Sequence, residues 1–298
     1  MSLVKQIEWF DSHFYKVTED GKDPIYIPSV TTKLGAVAKP FLLKWYGDIG
    51  GREAHLQKTE AGDSGSRVHH AYHVFKTNGA VVYQPYQKPT YTFDELHALE
   101  KKYEGSIAVL NRQDEMYAVY KLQKLYDILK PVVMFSEVIV YSTATMNAGQ
   151  VDDIWHLEAG EYKVNGREPL IIEESGLYIN DLKTGNQVDD DSFMQTAAYL
   201  KLAEEMGIGE FKGTLLTHTN AKTKSGIEGL AVYLRSRPEV ESDYSDFEKV
   251  AAIWQRKFSS MKPKCFEFPS LITQTKEKIN ANDTGTSQGV ERKELEVR

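Results

Sequence analysis

GLYINDLKTG, residues 176–185, reads as a β-strand running from Leu177 into Asp181-Leu182-Lys183, with Ser175-Gly176 as the turn before it. On an extended strand, side chains two apart share a face, so Asp181 and Lys183 stand together while Leu182 turns into the core. A second acidic run, GQVDD at Gly149 to Asp153, precedes it. If the strand carrying Asp152 lies alongside, two carboxylates and an ammonium share one patch. Such a patch can hold a divalent metal and the water it activates, an arrangement suited to cutting a phosphodiester.

Downstream, Asp189 to Met206 has helical spacing, and GTLLTHT and GLAVYLRS are two further strands flanking the basic loop NAKTKSG. Upstream, VVMFSEVIVYS, Gly149 to Leu157 and Pro169 to Glu174 read as strands, with Asn165-Gly166 as a turn. Phe93 to Leu129 contains one or two amphipathic helices ending before Pro131. Pro40 opens a helix, Phe41 to about Lys58 continues it, and after a break at Gly62-Asp63-Ser64 a second helix runs from Gly65 to about Lys76. HFYKVTEDGKDPIYIPSV forms a hairpin around Asp20-Gly21, and Ser29 or Thr31 caps a short helix through Leu34. Asp246 to Met261 is a closing helix with Phe247, Val250, Ile253, Trp254 and Phe258 on its apolar stripe. The expected fold class is α/β, a central mixed sheet with helices on both sides. One domain spans 1–273, with a hairpin and helices at 1–62 and the core at 63–273, and 274–298 is a flexible polar tail.

Composition narrows the function. A chain of 298 residues with 41% hydrophobic content can build a real core. A single cysteine, Cys265, excludes an internal disulfide and any four-cysteine zinc or iron-sulfur site, and fits a reducing compartment. The N-terminus lacks a signal peptide's apolar stretch, and no segment approaches the roughly 20 apolar residues of a membrane span. A soluble, cytoplasmic protein with no membrane partner is expected. The net charge of −7 argues against coating nucleic acid through bulk electrostatics, so any DNA contact must be local.

Four ordered motifs, GSRVH at 65–69, GQVD at 149–152, DLKTG at 181–185 and QTAAY at 195–199, resemble those of RecB-type nucleases in the PD-(D/E)XK superfamily. The opening IPSVTTKL and a following helix with Trp45 are similar to viral exonucleases and the mitochondrial genome maintenance exonuclease. The resemblance implies a restriction-endonuclease-like core and a Mg²⁺- or Mn²⁺-dependent deoxyribonuclease. It implies metal ligation by His69, Asp152, Asp181 and the main-chain carbonyl of Leu182, with Glu137 a looser match. Lys183 would orient or deprotonate the attacking water, and Gln195 and Tyr199, one helical turn apart, would support the site. The iron-sulfur form of the family is excluded by the lone cysteine. Its closest-looking relatives trim DNA ends, so the implied function is an exonuclease of replication, recombination or repair, of phage or prophage origin. DNA ends or single strands and a recombination or replication protein are the implied partners. A structure-selective or restriction endonuclease, and a non-catalytic DNA-binding subunit, are the alternatives.

Each residue also has a plain structural explanation. D-x-K occurs by chance on solvent-facing strands, where the pair contributes little. Asp153 competes with Asp152, and strand alternation with the G-x-x-D spacing favours Asp152. His69 and His73 have i, i+4 spacing but lack the glutamate of a zinc-protease helix, and His70 is expected to point elsewhere. Glu173 and Glu174 read as solvated surface, and Asp189-Asp190-Asp191 as an acidic helix N-terminus. Arg67, Lys222 and Lys224 are candidate phosphate contacts, and Tyr72 a candidate for stacking on unpaired bases.

Overall fold

The computed structural model describes residues 3–9, 12–37, 39–164, 166, 168–261 and 263. Met1–Pro263 clusters as one unit and Lys264–Arg298 as another. The second unit lies outside the described residues, together with Cys265, the expected limit at Thr273 and the expected tail; so does Asn165 of the expected turn.

Three strands open the chain, β1 (Leu3–Trp9), β2 (Ser12–Thr18) and β3 (Ile25–Pro28), paired antiparallel in that order. The β2–β3 hairpin follows the sequence reading, whereas β1 carries no comparable signal. Helix α1 (Val30–Leu34) is capped by Ser29, whose side chain accepts from the Thr32 amide at 2.9 Å. Helix α2 (Pro40–Ile49) starts on proline, and α3 (Gly51–Lys76) follows. The helix break therefore falls at Gly50, with φ of +85°, and not at Gly62-Asp63-Ser64. Those residues lie inside α3, as does the expected subdivision at 62/63. Two interior glycines cost a helix about 1 kcal/mol each. Gly65 has a packing reason: a Cβ there would sit 2.9 Å from Thr184 Oγ1.

Next come β4 (Ala80–Tyr83), α4 (Phe93–Lys102), β5 (Ile107–Leu110) and α5 (Gln113–Leu129), with β4 and β5 forming a small parallel pair. The central elements are β6 (Val132–Ser142), β7 (Asn147–Leu157), β8 (Gly160–Tyr162), β9 (Leu170–Ile172), β10 (Gly176–Lys183), α6 (Asp190–Glu205), β11 (Phe211–His218) and β12 (Ala231–Ser236). Helix α7 (Arg237–Phe258) starts well before Asp246, because Ser236 and Glu239 form a capping box with Pro238 in the first turn. Its Phe247, Val250 and Trp254 are buried, while Ile253 and Phe258 are exposed.

The protein is mixed α/β, as expected. Five strands in the order β12-β11-β10-β7-β6 form one sheet, in which only β10 and β11 are parallel, joined through α6. Helices α6 and α7 share a core with Val140, Val151, Ile154 and Ile179. Helices α3 and α5 pack with Trp155, Leu157, Tyr178 and Leu182 in another. Val151 and Ile154 are three apart yet belong to one core, so strict alternation along β7 fails between them, at the step from Asp152 to Asp153, both of which face α3. Among the described residues, no helix is long and apolar enough to cross a membrane.

Candidate metal centre

The site begins where the β7–β10 ladder ends. Pairing runs as far as Asn180 opposite Asp153. Two residues on, the Leu182 amide donates to Asp152 Oδ2 at 2.8 Å, so a side chain takes the place of a main-chain partner. Across β7, Glu137 lies between the pairs Ser136–Asp153 and Val138–Val151 and has φ of +55°, a left-handed conformation that costs a residue with a Cβ. Its carboxylate accepts from Gln150 Nε2. From α3, His69 Nδ1 approaches Asp152 Oδ1 to 3.4 Å. Ligand atoms of His69, Glu137 and Asp152 lie within 4.8 Å of one another.

Helix α6 supplies the other wall. Asp181 and Lys183, two apart on β10, form an ion pair of 2.7 Å. Lys183 Nζ also donates to Gln195 Oε1 at 2.9 Å. The Gln195 amide nitrogen lies 3.2 Å from Asp181 Oδ1 and 3.0 Å from the Tyr199 hydroxyl. One glutamine thus fixes both the acid and the base of the D-x-K pair, and Tyr199, buried against Gly149, fixes the glutamine. The Lys183 carbonyl accepts from the Thr219 amide on the β11 side. Groups of adjacent strand residues face opposite edges, so the Leu182 amide and carbonyl both face β7 and Asp152.

Three carboxylates crowd this point, and their charges oppose one another. Burial, then the neighbouring Asp152, pushes Glu137 up, and burial outweighs Lys183 in pushing Asp181 up. Asp152 is held low despite its burial by His69, the Leu182 amide and Lys183. Burial opposes a charged imidazole at His69, yet Asp152, Asp181 and Glu137 together raise its pKa to about 9. The pocket favours positive charge at this point. Two carboxylates and an imidazole with converging donor atoms, plus a carbonyl on the same strand edge, could hold a divalent cation.

All these groups line one cleft of about 730 Å³. His69, Asp152, Asp181, Leu182, Lys183, Gln195, Tyr199 and Glu137 are brought together there. His70, expected elsewhere, is on its lining, as are Gln6 and His13 of the N-terminal sheet. Nothing in the sequence around Gln6 or His13 marks them. Gln150 could have been found, since it lies two residues before Asp152 on the same strand.

The remaining candidates lie elsewhere. Tyr72 is 2% exposed, so burial removes it as a stacking platform. Arg67 is held by Glu115 at 2.7 Å and Glu60 at 3.2 Å and is not a free phosphate donor. Lys222 and Lys224 line a separate groove beside α5. Glu174 pairs with Lys212, and Asp189 and Asp191 pair with Lys39. Asp153 is buried in an ion pair with Lys76, which also donates to Ser136 Oγ at 3.1 Å. Burial pushes the Asp153 carboxyl up to about 6 despite that lysine. His69, Tyr72, His73 and Lys76 form one stripe of α3, at i, i+3, i+4 and i+7, so both aspartates of GQVDD reach α3 and end in different surroundings. Among known proteins, no family model and no curated sequence matches the chain.

Proposed function

We propose that the protein is a Mg²⁺- or Mn²⁺-dependent deoxyribonuclease that hydrolyses phosphodiester bonds and works as an exonuclease. The observation that carries this reading is the meeting of His69, Glu137 and Asp152 within 4.8 Å, beside an Asp181–Lys183 pair locked by Gln195. A bound divalent ion at that point supplies an activated water and charge stabilisation on the phosphate. His69, Glu137 and Asp152 would hold it, with Asp181 and the Leu182 carbonyl at the same edge.

The chain's own groups do the rest. Lys183, fixed between Asp181 and Gln195, presents an ammonium to the non-bridging oxygens and offsets the charge that builds on them. Gln195 and Tyr199 hold that ammonium in place without reorganisation. A role in DNA replication, recombination or repair inside the cell, in a phage or prophage setting, fits such an enzyme.

The test is incubation with end-labelled linear and circular DNA, single- and double-stranded, with Mg²⁺ or Mn²⁺ and with chelator. Metal-dependent cleavage of linear but not circular DNA, lost in Lys183→Ala, is expected. Cleaved circles would make it an endonuclease. Binding without cleavage under every condition would leave a non-catalytic subunit and end the nuclease reading.

A further inference from the structure

Helix α5 divides its surface sharply. Ala118, Val119, Leu122, Leu125 and Leu129 face the core. On the other side Tyr117, Tyr120, Lys121 and Lys124, at i, i+3, i+4 and i+7, form a continuous stripe. Tyr117 and Tyr120 are 54% and 47% exposed, and Lys124 Nζ stands 4.4 Å from the Tyr120 ring centroid. Facing this stripe is the loop with Lys222 and Lys224, both exposed, and together they line a groove of about 790 Å³.

The charge of this groove runs against that of the chain. Four lysines line it against one acid, Glu228, in a protein of net charge −7. Lys121 is committed to the carbonyl of Thr219 at 2.8 Å, which anchors the loop to α5. Among the described residues, Lys124, Lys222 and Lys224 have no acidic partner at ion-pair distance. Cations unneutralised by the protein, set around exposed aromatic faces, match a polyanion that also offers flat apolar rings.

The loop that borders the groove is also tied to the segment that follows Lys183. Thr184 and Gly185 line both the catalytic cleft and a second groove, which extends to Asn186 and to Arg112 at the start of α5. Asn220, at the base of the lysine loop, donates to Asn186 Oδ1 at 2.8 Å. Residues 184–186 thus border the cleft and hydrogen-bond to the base of the lysine loop.

We propose that the tyrosine-lysine face of α5 and the 220–229 loop form a binding track for single-stranded DNA, with bases stacked on Tyr117 and Tyr120 and phosphates met by Lys124, Lys222 and Lys224. The choice of DNA rests on the nuclease reading; the track itself rests on the groove. A single strand is selected because stacking requires unpaired base faces, which a duplex withholds.

Fluorescence anisotropy of a labelled oligo-deoxythymidine in chelator, where nothing can be cut, tests it. Tyr117→Ala/Tyr120→Ala is expected to weaken binding about tenfold or more without changing the salt slope, and Tyr117→Phe/Tyr120→Phe to restore it. Lys222→Ala/Lys224→Ala should flatten the slope of log affinity against log salt by about 0.7 per lysine. Metal-dependent hydrolysis of bis(p-nitrophenyl) phosphate, too small to reach the groove, should be unchanged in both variants. If the wild-type protein binds the oligonucleotide but hydrolyses neither this ester nor DNA, the nuclease reading fails and the track stands. No binding by wild type, wild-type affinity and salt slope in both variants, an equal loss for a blunt duplex after removal of the tyrosines, or tighter binding of oligouridine would each overturn the proposal.

Discussion

Gly149→Ala is the substitution most revealing of how the site is held. Alanine in place of glycine within a strand ordinarily stabilises by roughly 0.5–1 kcal/mol, because the unfolded chain loses freedom. Here the sign reverses. A Cβ at 149 would lie 2.8 Å from Tyr199 Cζ and 2.9 Å from Cδ1, with Cε1 nearer still, whereas ordinary contact begins at 3.4 Å. The ring would have to retreat by more than 0.6 Å, which is the shortfall at Cζ alone, because Cε1 lies nearer. Tyr199 is 3% exposed and packed among residues of α6 and the sheet, so it has little room to do so. Overpacking of this kind costs about 1–3 kcal/mol. The displacement passes from the Tyr199 hydroxyl to Gln195, and from Gln195 to Asp181 and Lys183. Misplacement approaching 1 Å at reacting groups costs up to about a hundredfold in rate, so a loss of tenfold to a hundredfold in metal-dependent cleavage is expected. Urea denaturation gives the first number, and cleavage of end-labelled linear DNA at saturating metal the second. Gly149→Ala/Tyr199→Leu makes room and should recover part of the stability but not the rate, since Gln195 loses its partner. A Gly149→Ala protein as stable and as active as the wild type would refute the chain of contacts.

Two further outcomes concern buried charge. Lys76→Met strands Asp153 without its partner and should cost about 3–5 kcal/mol by chemical denaturation, while Lys76→Met/Asp153→Leu should cost far less; a harmless single substitution would sink this account of the pair. Lys33, 2% exposed and donating to the Met146 carbonyl at 2.7 Å, has its pKa lowered from 10.5 to about 8 by burial. The folded protein then binds fewer protons than the unfolded chain between those values. Its stability relative to Lys33→Met should therefore rise by up to about 3 kcal/mol from pH 8 to 10.5. A flat difference across that window, measured by urea titration, would count against it.

How much could be read beforehand depended on whether the signal was local. The Asp181–Lys183 pairing follows from two-residue periodicity, and the Gln195–Tyr199 contact from one helical turn, so both needed only the element to be identified. The short strands β4 and β5 were not legible, because four residues gain strand character only from a partner elsewhere in the chain. The helix through Gly62 reads as broken by propensity, yet α3 runs through it, and Gly65 is a glycine because it lies against Thr184. Tyr72 is buried instead of exposed because its environment depends on the rotation of α3, which the 69–76 stripe towards the sheet fixes. Asp152 and Asp153 were separable by the G-x-x-D spacing, but the partner of Asp153, seventy-seven positions back at Lys76, leaves no trace in the local sequence.

The left-handed backbone at Glu137 places folding and chemistry in competition. Judged by conformation alone, that position calls for glycine or asparagine, and either would ease the strand. A carboxylate stands there against that preference. Variants selected only for heat resistance should therefore drift away from glutamate at 137 and emerge sturdier but without the carboxylate that stands beside His69 and Asp152. Thermal tolerance is then a misleading guide to the proposed activity, since the same change that steadies the sheet edge removes one of the three groups that meet there.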